Sequence, residues 1–498
     1  MPVTLPMGRR ANNGSFRGFV LTALVAALVT AFSFVSPAKI GDVQLARLNL
    51  YSELLEYDDE DISDGEFTPD FESLYSQVAE TPVDDASVEQ TFLWNADSSA
   101  VSGGGYRIAF LGDSFIEGDI LTSDLRERLQ GTFGGGGGGF VPCELPFAVY
   151  RHTAKVKGNG WQKYGILKYK SVPESLQGDF IASGYMASGK KGSSMHWERG
   201  RGFAHLDSTD LCRVFFLSEA GCKLELSLED GSSRTFKVKG APSMRQIVVG
   251  TGSATLDLSV LSGSIVCYGA SFESSKGVHV DNFSVRSNNG GAIFRSNAAL
   301  NRQFSQMMGY KAVVLQYGLN IMLPDKSNYA KYQKQLEDMI RYAKASFPDC
   351  EVVVMGVSDR GVKREGDTTF TSINSAPALS RHQKAAADKE GVLFWDTYGA
   401  MQSLGGLDVF AEKGLVASDR VHFTFAGGRA LAGKMTPFWE EQIAEHIRRS
   451  RHEAEIESVP SDSSMSGHAE AVSQKGLAEA VSQRDLAAEE YLRGKRIR

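Results

Sequence analysis

Positive charge is in short supply in this chain: 53 lysines and arginines face 60 aspartates and glutamates, for a formal net charge of −7. A nucleic-acid binder draws its affinity from a basic surface that displaces phosphate counterions. No long Lys/Arg cluster occurs in the middle of the sequence, so that class is set aside and no nucleic-acid partner is expected. Cysteine is scarce too. Cys143, Cys212, Cys222, Cys267 and Cys350 show no Cys-x-x-Cys spacing for zinc or redox chemistry. An odd count leaves at least one thiol without an intramolecular partner. Cys212 and Cys222, in what read as adjacent strands, could pair in an oxidising compartment, with buried free thiols as the equal alternative. His152, His196, His205, His279 and His382 also lack metal-ligand spacing and read as structural or surface residues. The glycine run Gly134–Gly139 is not followed by the Gly-Lys-Ser/Thr that would reach a phosphate and magnesium, and reads as a mobile loop near a cleft. No metal or other cofactor is expected. Trp161 and Trp197 either line a glycan site or pack in a core.

Long apolar runs are missing as well, with one exception. Arg9, Arg10 and Arg17 precede a run from Gly18 to Val35 interrupted only by Thr22, Thr30 and Ser33. It is just long enough for a bilayer core of about 30 Å, and basic residues before it with acidic ones after it fit an in-to-out orientation. Residues 1–40 therefore read as an N-terminal membrane anchor, the alternative being a cleaved signal with a poor small-residue site at Ser36–Ala38. Either way the body lies outside the cytoplasm.

What is present is an ordinary globular composition, 42% hydrophobic and 23% charged, in a chain of 498 residues with room for two or three domains. Residues 41–103, rich in Asp58, Asp59, Glu60 and Asp61, read as an acidic, solvated linker. From Tyr106 onward short apolar runs recur at 106–111, 312–316, 352–355 and 392–395. Helical candidates lie between and beyond them, at 328–346, 377–389 and 426–449. That alternation predicts an α/β fold, a doubly wound parallel sheet. Between about 200 and 290 the rhythm changes to closely spaced alternating strands such as Cys222–Leu228, separated by turn residues such as Asp230-Gly231. This predicts an inserted antiparallel β-sandwich, jelly-roll-like, over 191–295, with core halves at 104–190 and 296–450. The polar tail 451–498 carries a nine-residue duplication, too short for a solenoid.

Three weak signals carry the chemistry. Gly112-Asp113-Ser114 sits where the first core strand ends, the edge at which open α/β sheets bind ligands. Asp124 and Glu127, at capping-box spacing, predict a helix starting near 122–124 behind it. A serine hydroxyl needs an adjacent base held by a third group, and Asp419-Arg-Val-His422 supplies both before a helix. His422 is the candidate base and Asp419 its orienter. Gly318-Leu-Asn320 follows the strand Ala312–Gln316, and an Asn amide there can donate to an oxyanion, worth about 3–4 kcal/mol of barrier. Ser114 and Gly184 backbone N–H groups are the candidate companions, with Gly189 second to Gly184.

Taken together, Gly112-Asp-Ser114, Gly318-x-Asn320 and Asp419-x-x-His422 resemble blocks I, III and V of the SGNH (GDSL-like) hydrolases. That resemblance implies a Ser114–His422–Asp419 triad with an oxyanion hole of Ser114, Gly184 and Asn320. Gly112-Asp-Ser-Phe-Ile-Glu-Gly-Asp119, Gly139-Phe-Val-Pro142, Tyr268-Gly-Ala-Ser-Phe-Glu273, Gly277-Val-His-Val-Asp281 and Gln316-Tyr-Gly-Leu-Asn320 are further similar to bacterial peptidoglycan O-acetylesterases, with Phe115 where that subgroup often has histidine. The resemblance implies a serine carboxylic-ester hydrolase of the bacterial cell envelope, periplasmic and anchored in the inner membrane, acting on an O-acetylated glycan such as peptidoglycan. The alternatives are a glycan O-acetyltransferase, another SGNH esterase or lipase, and a non-catalytic glycan-binding scaffold.

Overall fold

The computed structural model describes residues 90–100, 105–146, 151–364 and 367–457, besides residues 39–40, 43–44, 70, 71 and 74. The N-terminal apolar run, most of the acidic segment and the duplicated tail lie outside these. Among the described residues no helix is long and apolar enough to cross a membrane. Two compact units divide the chain, Met1–Asp64 and Gly65–Arg498, and the fold below is that of the second.

Its centre is a five-stranded, all-parallel sheet. The strands are β1 (Tyr106–Gly112), β3 (Val278–Ser284), β4 (Tyr310–Gln316), β5 (Glu351–Met355) and β6 (Leu393–Trp395), in the spatial order β3-β1-β4-β5-β6. β1 is buried along its whole length and β4 at all but one residue, as expected of strands covered on both faces. Helices α1 (Thr122–Phe133), α2 (Ala298–Met308), α3 (Ala330–Ser346), α4 (Ala376–Glu390) and α5 (Phe425–Glu457) alternate with these strands. The order reverses at β1, which pairs with β3 on one side and β4 on the other. Such a switch point opens a crevice beyond the strands' C-terminal ends.

The second layer of architecture is an 11-stranded, mostly antiparallel sheet threaded by one 19-residue strand, β2 (Thr255–Glu273). The first half of β2 alternates buried and half-buried residues. Its second half, from Ile265, is buried throughout, because there it also faces the parallel core. Gly263, at φ +75°, marks the change, and a Cβ there would lie 2.3 Å from the Gly221 carbonyl. An apolar cluster around Trp197, Leu224, Leu226, Leu256 and Leu258 fills this region. Phe140 and Phe215 instead pack with Phe283 and Phe304 of the α/β core, at ring separations of 5.1–6.2 Å.

Several expectations change. The 191–295 boundary does not hold. Gly139–Pro142, Ala154–Asn159, Gln162–Gly165 and Tyr185–Lys190 already belong to the antiparallel sheet, while Val278–Ser284 joins the parallel one. The 41–103 segment is not all spacer, since Thr91–Trp94, with strand formers at three of its four positions, pairs in parallel with Gln246–Val249. Cys212 and Cys222 do not pair: their strands flank opposite halves of β2, Cys212 against Phe272 and Cys222 against Gly263. The glycine run is packed rather than loose. Cβ atoms at Gly136 and Gly137 would strike the Ser208 and Phe272 carbonyls at 1.9 and 2.2 Å. Trp197 is fully buried and Trp161 lies over Gly189, so both pack and neither lines the crevice.

Candidate active site

β1 ends at Gly112, where a Cβ would lie 2.6 Å from Gln316 Oε1 and 2.8 Å from Ile116, so a larger residue would push both side chains aside. The chain then turns through Asp113 and Ser114 into a short 3-10 turn, Glu117–Asp119, before α1. That helix is capped by Leu121 without a side-chain bond, so the Asp124/Glu127 capping box does not form. Asp124 instead pairs with Arg429 at 2.9 Å, and Glu127 with His205.

At the other end of the chain, Asp419–His422 is a turn pinned by backbone bonds. Ala417 N–H donates to the His422 carbonyl at 2.7 Å, and Gly361 N–H to that of Arg420 at 2.6 Å. Arg420 is held at φ +57°, an uncommon conformation for a non-glycine residue, and the turn thereby brings the two side chains of Asp419 and His422 together. Asp419 Oδ1 accepts the N–H groups of Val421 (2.9 Å) and His422 (3.0 Å), and its Oδ2 lies 2.7 Å from His422 Nδ1. Burial opposes ionisation of Asp419, but the bonds from the His422 ring and these two N–H groups outweigh it and hold its pKa down to about 2. An ionised Asp419 makes Nδ1 the protonated nitrogen of a neutral ring and leaves Nε2 as an acceptor. Nε2 is 3.0 Å from Ser114 Oγ. Ser114, His422 and Asp419 are thus brought into one hydrogen-bonded line across 308 residues of sequence.

Asn320 follows β4 in a 3-10 turn entered through Gly318 at φ +124°. Its Nδ2 donates to Asp113 Oδ2 (3.2 Å) and to the Asn288 carbonyl (3.0 Å), which places it beside the Ser114 turn. No hydrogen bond among the described residues engages the Ser114 N–H. Gly184 is a correction. Its N–H is committed to the Ile181 carbonyl at 3.0 Å inside a tight turn, and its α-carbon faces Val285, so it is not an available oxyanion donor. Gly189 lies within an antiparallel strand against Ile265 and is equally unsuited. Phe115 is buried, its ring 4.8 Å from that of Phe423.

Sequence reasoning missed two residues here. Asp113 is fully buried, accepts from Phe115 N–H at 2.9 Å and from Asn320, and offers its own N–H to Gln316. Burial, against the bonds from Phe115 and Gln316, raises its pKa to about 7. Its position in Gly-Asp-Ser was visible, but its burial was not. The second is Glu117, three residues past Ser114, which pairs with Arg286 at 2.9 Å.

The raised pKa of Asp113 has a consequence for stability. In the unfolded chain an aspartate titrates near 4. Below that, Asp113 is protonated in both states and its contribution is complete; as pH rises towards and past 7 the unfolded state binds fewer protons, and stability is lost. Wild-type protein is expected to melt at lower temperature at about pH 8 than at about pH 5. Asp113→Asn is expected to show a flatter dependence; parallel melting profiles for the two proteins would contradict the assignment.

Among solved structures the chain is similar to one titled as a peptidoglycan O-acetylesterase in action, at 23% identity and a TM-score of 0.56, over 70% of this chain and 94% of that one. The chain is SGNH-like in fold. A family two carbohydrate esterase from Cellvibrio japonicus matches at 8% identity and TM-score 0.25, over 58% of this chain and 99% of that one. An acetyl xylan esterase matches at 18% and 0.24, over 32% and 79%. At these TM-scores neither adds to the fold argument. No protein-family model matches the chain, and no curated protein matches it in sequence. The SGNH-like fold accounts for the position of Ser114: it is the residue that the switch point at β1 presents to the crevice.

Proposed function

We propose that this chain is an exported serine esterase that removes O-acetyl groups from a cell-envelope glycan, peptidoglycan foremost. The observation that carries the reading is the line from Asp419 through His422 to Ser114 at the C-terminal edge of the parallel sheet. In this reading His422 Nε2 takes the Ser114 proton as Oγ adds to the acetyl carbonyl. The Ser114 N–H and Asn320 stabilise the oxyanion. Collapse of the tetrahedral intermediate breaks the ester C–O bond, and the His422 proton goes to the departing sugar oxygen, leaving an acetyl-serine. Water, deprotonated by His422, then adds to that acetyl group; the bond to Oγ breaks, the His422 proton returns to Ser114 Oγ, and acetate leaves. The ring of Asn320 contacts implies that one of its two bonds, to Asp113 or to Asn288, is exchanged or shared when the oxyanion forms.

The fold likeness to a structure titled as a peptidoglycan O-acetylesterase supports the acetylated-glycan substrate. The N-terminal basic and apolar run supports placement in the envelope with a membrane anchor. The full chain is expected to release acetate from O-acetylated peptidoglycan in the absence of any acceptor sugar. Hydrolysis of small acetate esters without release from the polymer would reject peptidoglycan as the substrate. Transfer of acetyl to an added glycan in place of free acetate would make the chain a transferase.

A further inference from the structure

Among the described residues, Leu323 (56% exposed) and Phe370 (39% exposed) are the large apolar side chains left open to solvent. Single exposed apolar residues scattered over a surface need no explanation. These two are not scattered. Leu323 lies three residues past Asn320, in the loop that follows β4. Phe370 belongs to the hairpin after β5, whose strands Gly361–Val362 and Thr371–Ser372 pair antiparallel. That hairpin is joined to the Asp419–His422 turn, because Gly361 N–H donates to the Arg420 carbonyl at 2.6 Å. A Cβ at Gly361 would lie 2.4 Å from Arg420 Cβ and 3.2 Å from Phe370 Cδ1, so the glycine is packed between the turn and the edge of the ring. One exposed apolar side chain thus stands on the Asn320 side of the crevice and the other on the His422 side.

The two loops are braced against each other. Arg360 Nη2 donates to the Met322 carbonyl at 2.5 Å. Arg364 Nη2 reaches both oxygens of Asp325, at 2.7 and 2.9 Å. Asp325 N–H donates to Asn374 Oδ1 at 2.9 Å, and its Oδ1 accepts from Asn374 Nδ2 at 2.6 Å. Exposed ion pairs add little to stability. What this network does is hold Leu323 and Phe370 on one polar rim, so that a ligand need not pay to order them. Lys363 Nζ stands 6.0 Å from the centre of the Phe370 ring. The pattern selects among occupants. An acyl chain needs a continuous apolar trough, whereas here Asp325, Arg364, Asn374 and Lys363 accompany the two apolar side chains. A pyranose ring matches such a rim: it has a face of C–H groups for an aromatic ring and an edge of hydroxyls for charged and amide partners.

We propose that Phe370 and Leu323 form a rim subsite for a sugar ring flanking the one whose ester Ser114 attacks, with Phe370 stacking on its C–H face. Resting on the esterase reading, this makes the substrate a glycan chain of several residues in place of a single acetylated sugar. With the full chain, chitotetraose and N-acetylglucosamine are titrated by calorimetry. In parallel, kcat and KM are measured on O-acetylated peptidoglycan fragments and on 4-nitrophenyl acetate. The tetramer is expected to bind at least about tenfold more tightly than the monomer. Phe370→Ala is expected to remove about tenfold of that advantage. It is also expected to lower kcat/KM on the fragments by about the same factor relative to 4-nitrophenyl acetate, through KM more than kcat. Phe370→Trp is expected to retain both preferences, and Leu323→Ala, outside the hairpin, to act in the same direction as Phe370→Ala with a smaller effect. Equal losses on the fragments and the small ester would make Phe370 a brace for the Asp419–His422 turn and overturn the proposal, as would equal binding of tetramer and monomer. A preference for 4-nitrophenyl octanoate over the acetate that disappears in Phe370→Ala would give the rim to an acyl chain and overturn it too. Tetramer binding that Phe370→Ala weakens, in a protein that hydrolyses no ester, would defeat the esterase reading and leave the subsite standing.

Discussion

Ser114→Ala is expected to abolish turnover of 4-nitrophenyl acetate and of the acetylated polymer, with kcat lower by about four to six orders of magnitude. The size of the effect follows from geometry. Among the described residues Ser114 Oγ has one side-chain partner, His422 Nε2 at 3.0 Å, so its removal deletes the nucleophile without releasing a structural contact. His422→Ala is expected to cost nearly as much, and the double variant little more than either one, because the pair acts as a unit. Melting temperatures close to wild type in all three would tie the loss to chemistry. Full activity in Ser114→Ala and in His422→Ala would remove the triad assignment and with it the proposed function.

Asp419→Asn should retain the fold of the turn and still lose about four orders of magnitude in kcat. An asparagine can keep accepting the Val421 and His422 N–H groups through one oxygen. What it cannot do is hold His422 with its proton on Nδ1, because the amide nitrogen that replaces Oδ2 is itself a donor. The ring would then present a protonated Nε2 to Ser114 and fail as a base. With a pKa of about 2, Asp419 in the wild type stays ionised at any pH above roughly 4, so the loss in the variant should persist across the neutral and alkaline range. Recovery of wild-type kcat at high pH would contradict this role.

The parallel core was legible because its strands are unbroken apolar runs of the kind that burial on both faces demands. The helices at 330–346, 376–390 and 425–457 start within a residue or two of their predicted positions. That the chain also holds antiparallel strands was legible, while their extent was misplaced. Short strands such as Gly139–Pro142 and Ala154–Asn159 carry too few apolar residues to stand out on their own and are strands because β2 and Ser194–Arg199 supply their hydrogen bonds. The glycine run misled for a related reason. Local sequence cannot distinguish glycine chosen for freedom from glycine chosen because the backbones of Ser208 and Phe272 approach within contact.

At the site, the residue pattern alone shows which chemistry is available: a serine at a strand end, an Asp-x-x-His turn, and an Asn after a second strand. Which of them meet is set by the packing of the fold. It joined Ser114 to His422, linked Asn320 to Asp113, and removed Gly184 by committing its N–H to Ile181. Spacing along the chain reports which side chains one turn can align, as for Asp419 and His422. Partners 308 residues apart and the burial that lifts the pKa of Asp113 depend on how layers pack, which no local pattern encodes.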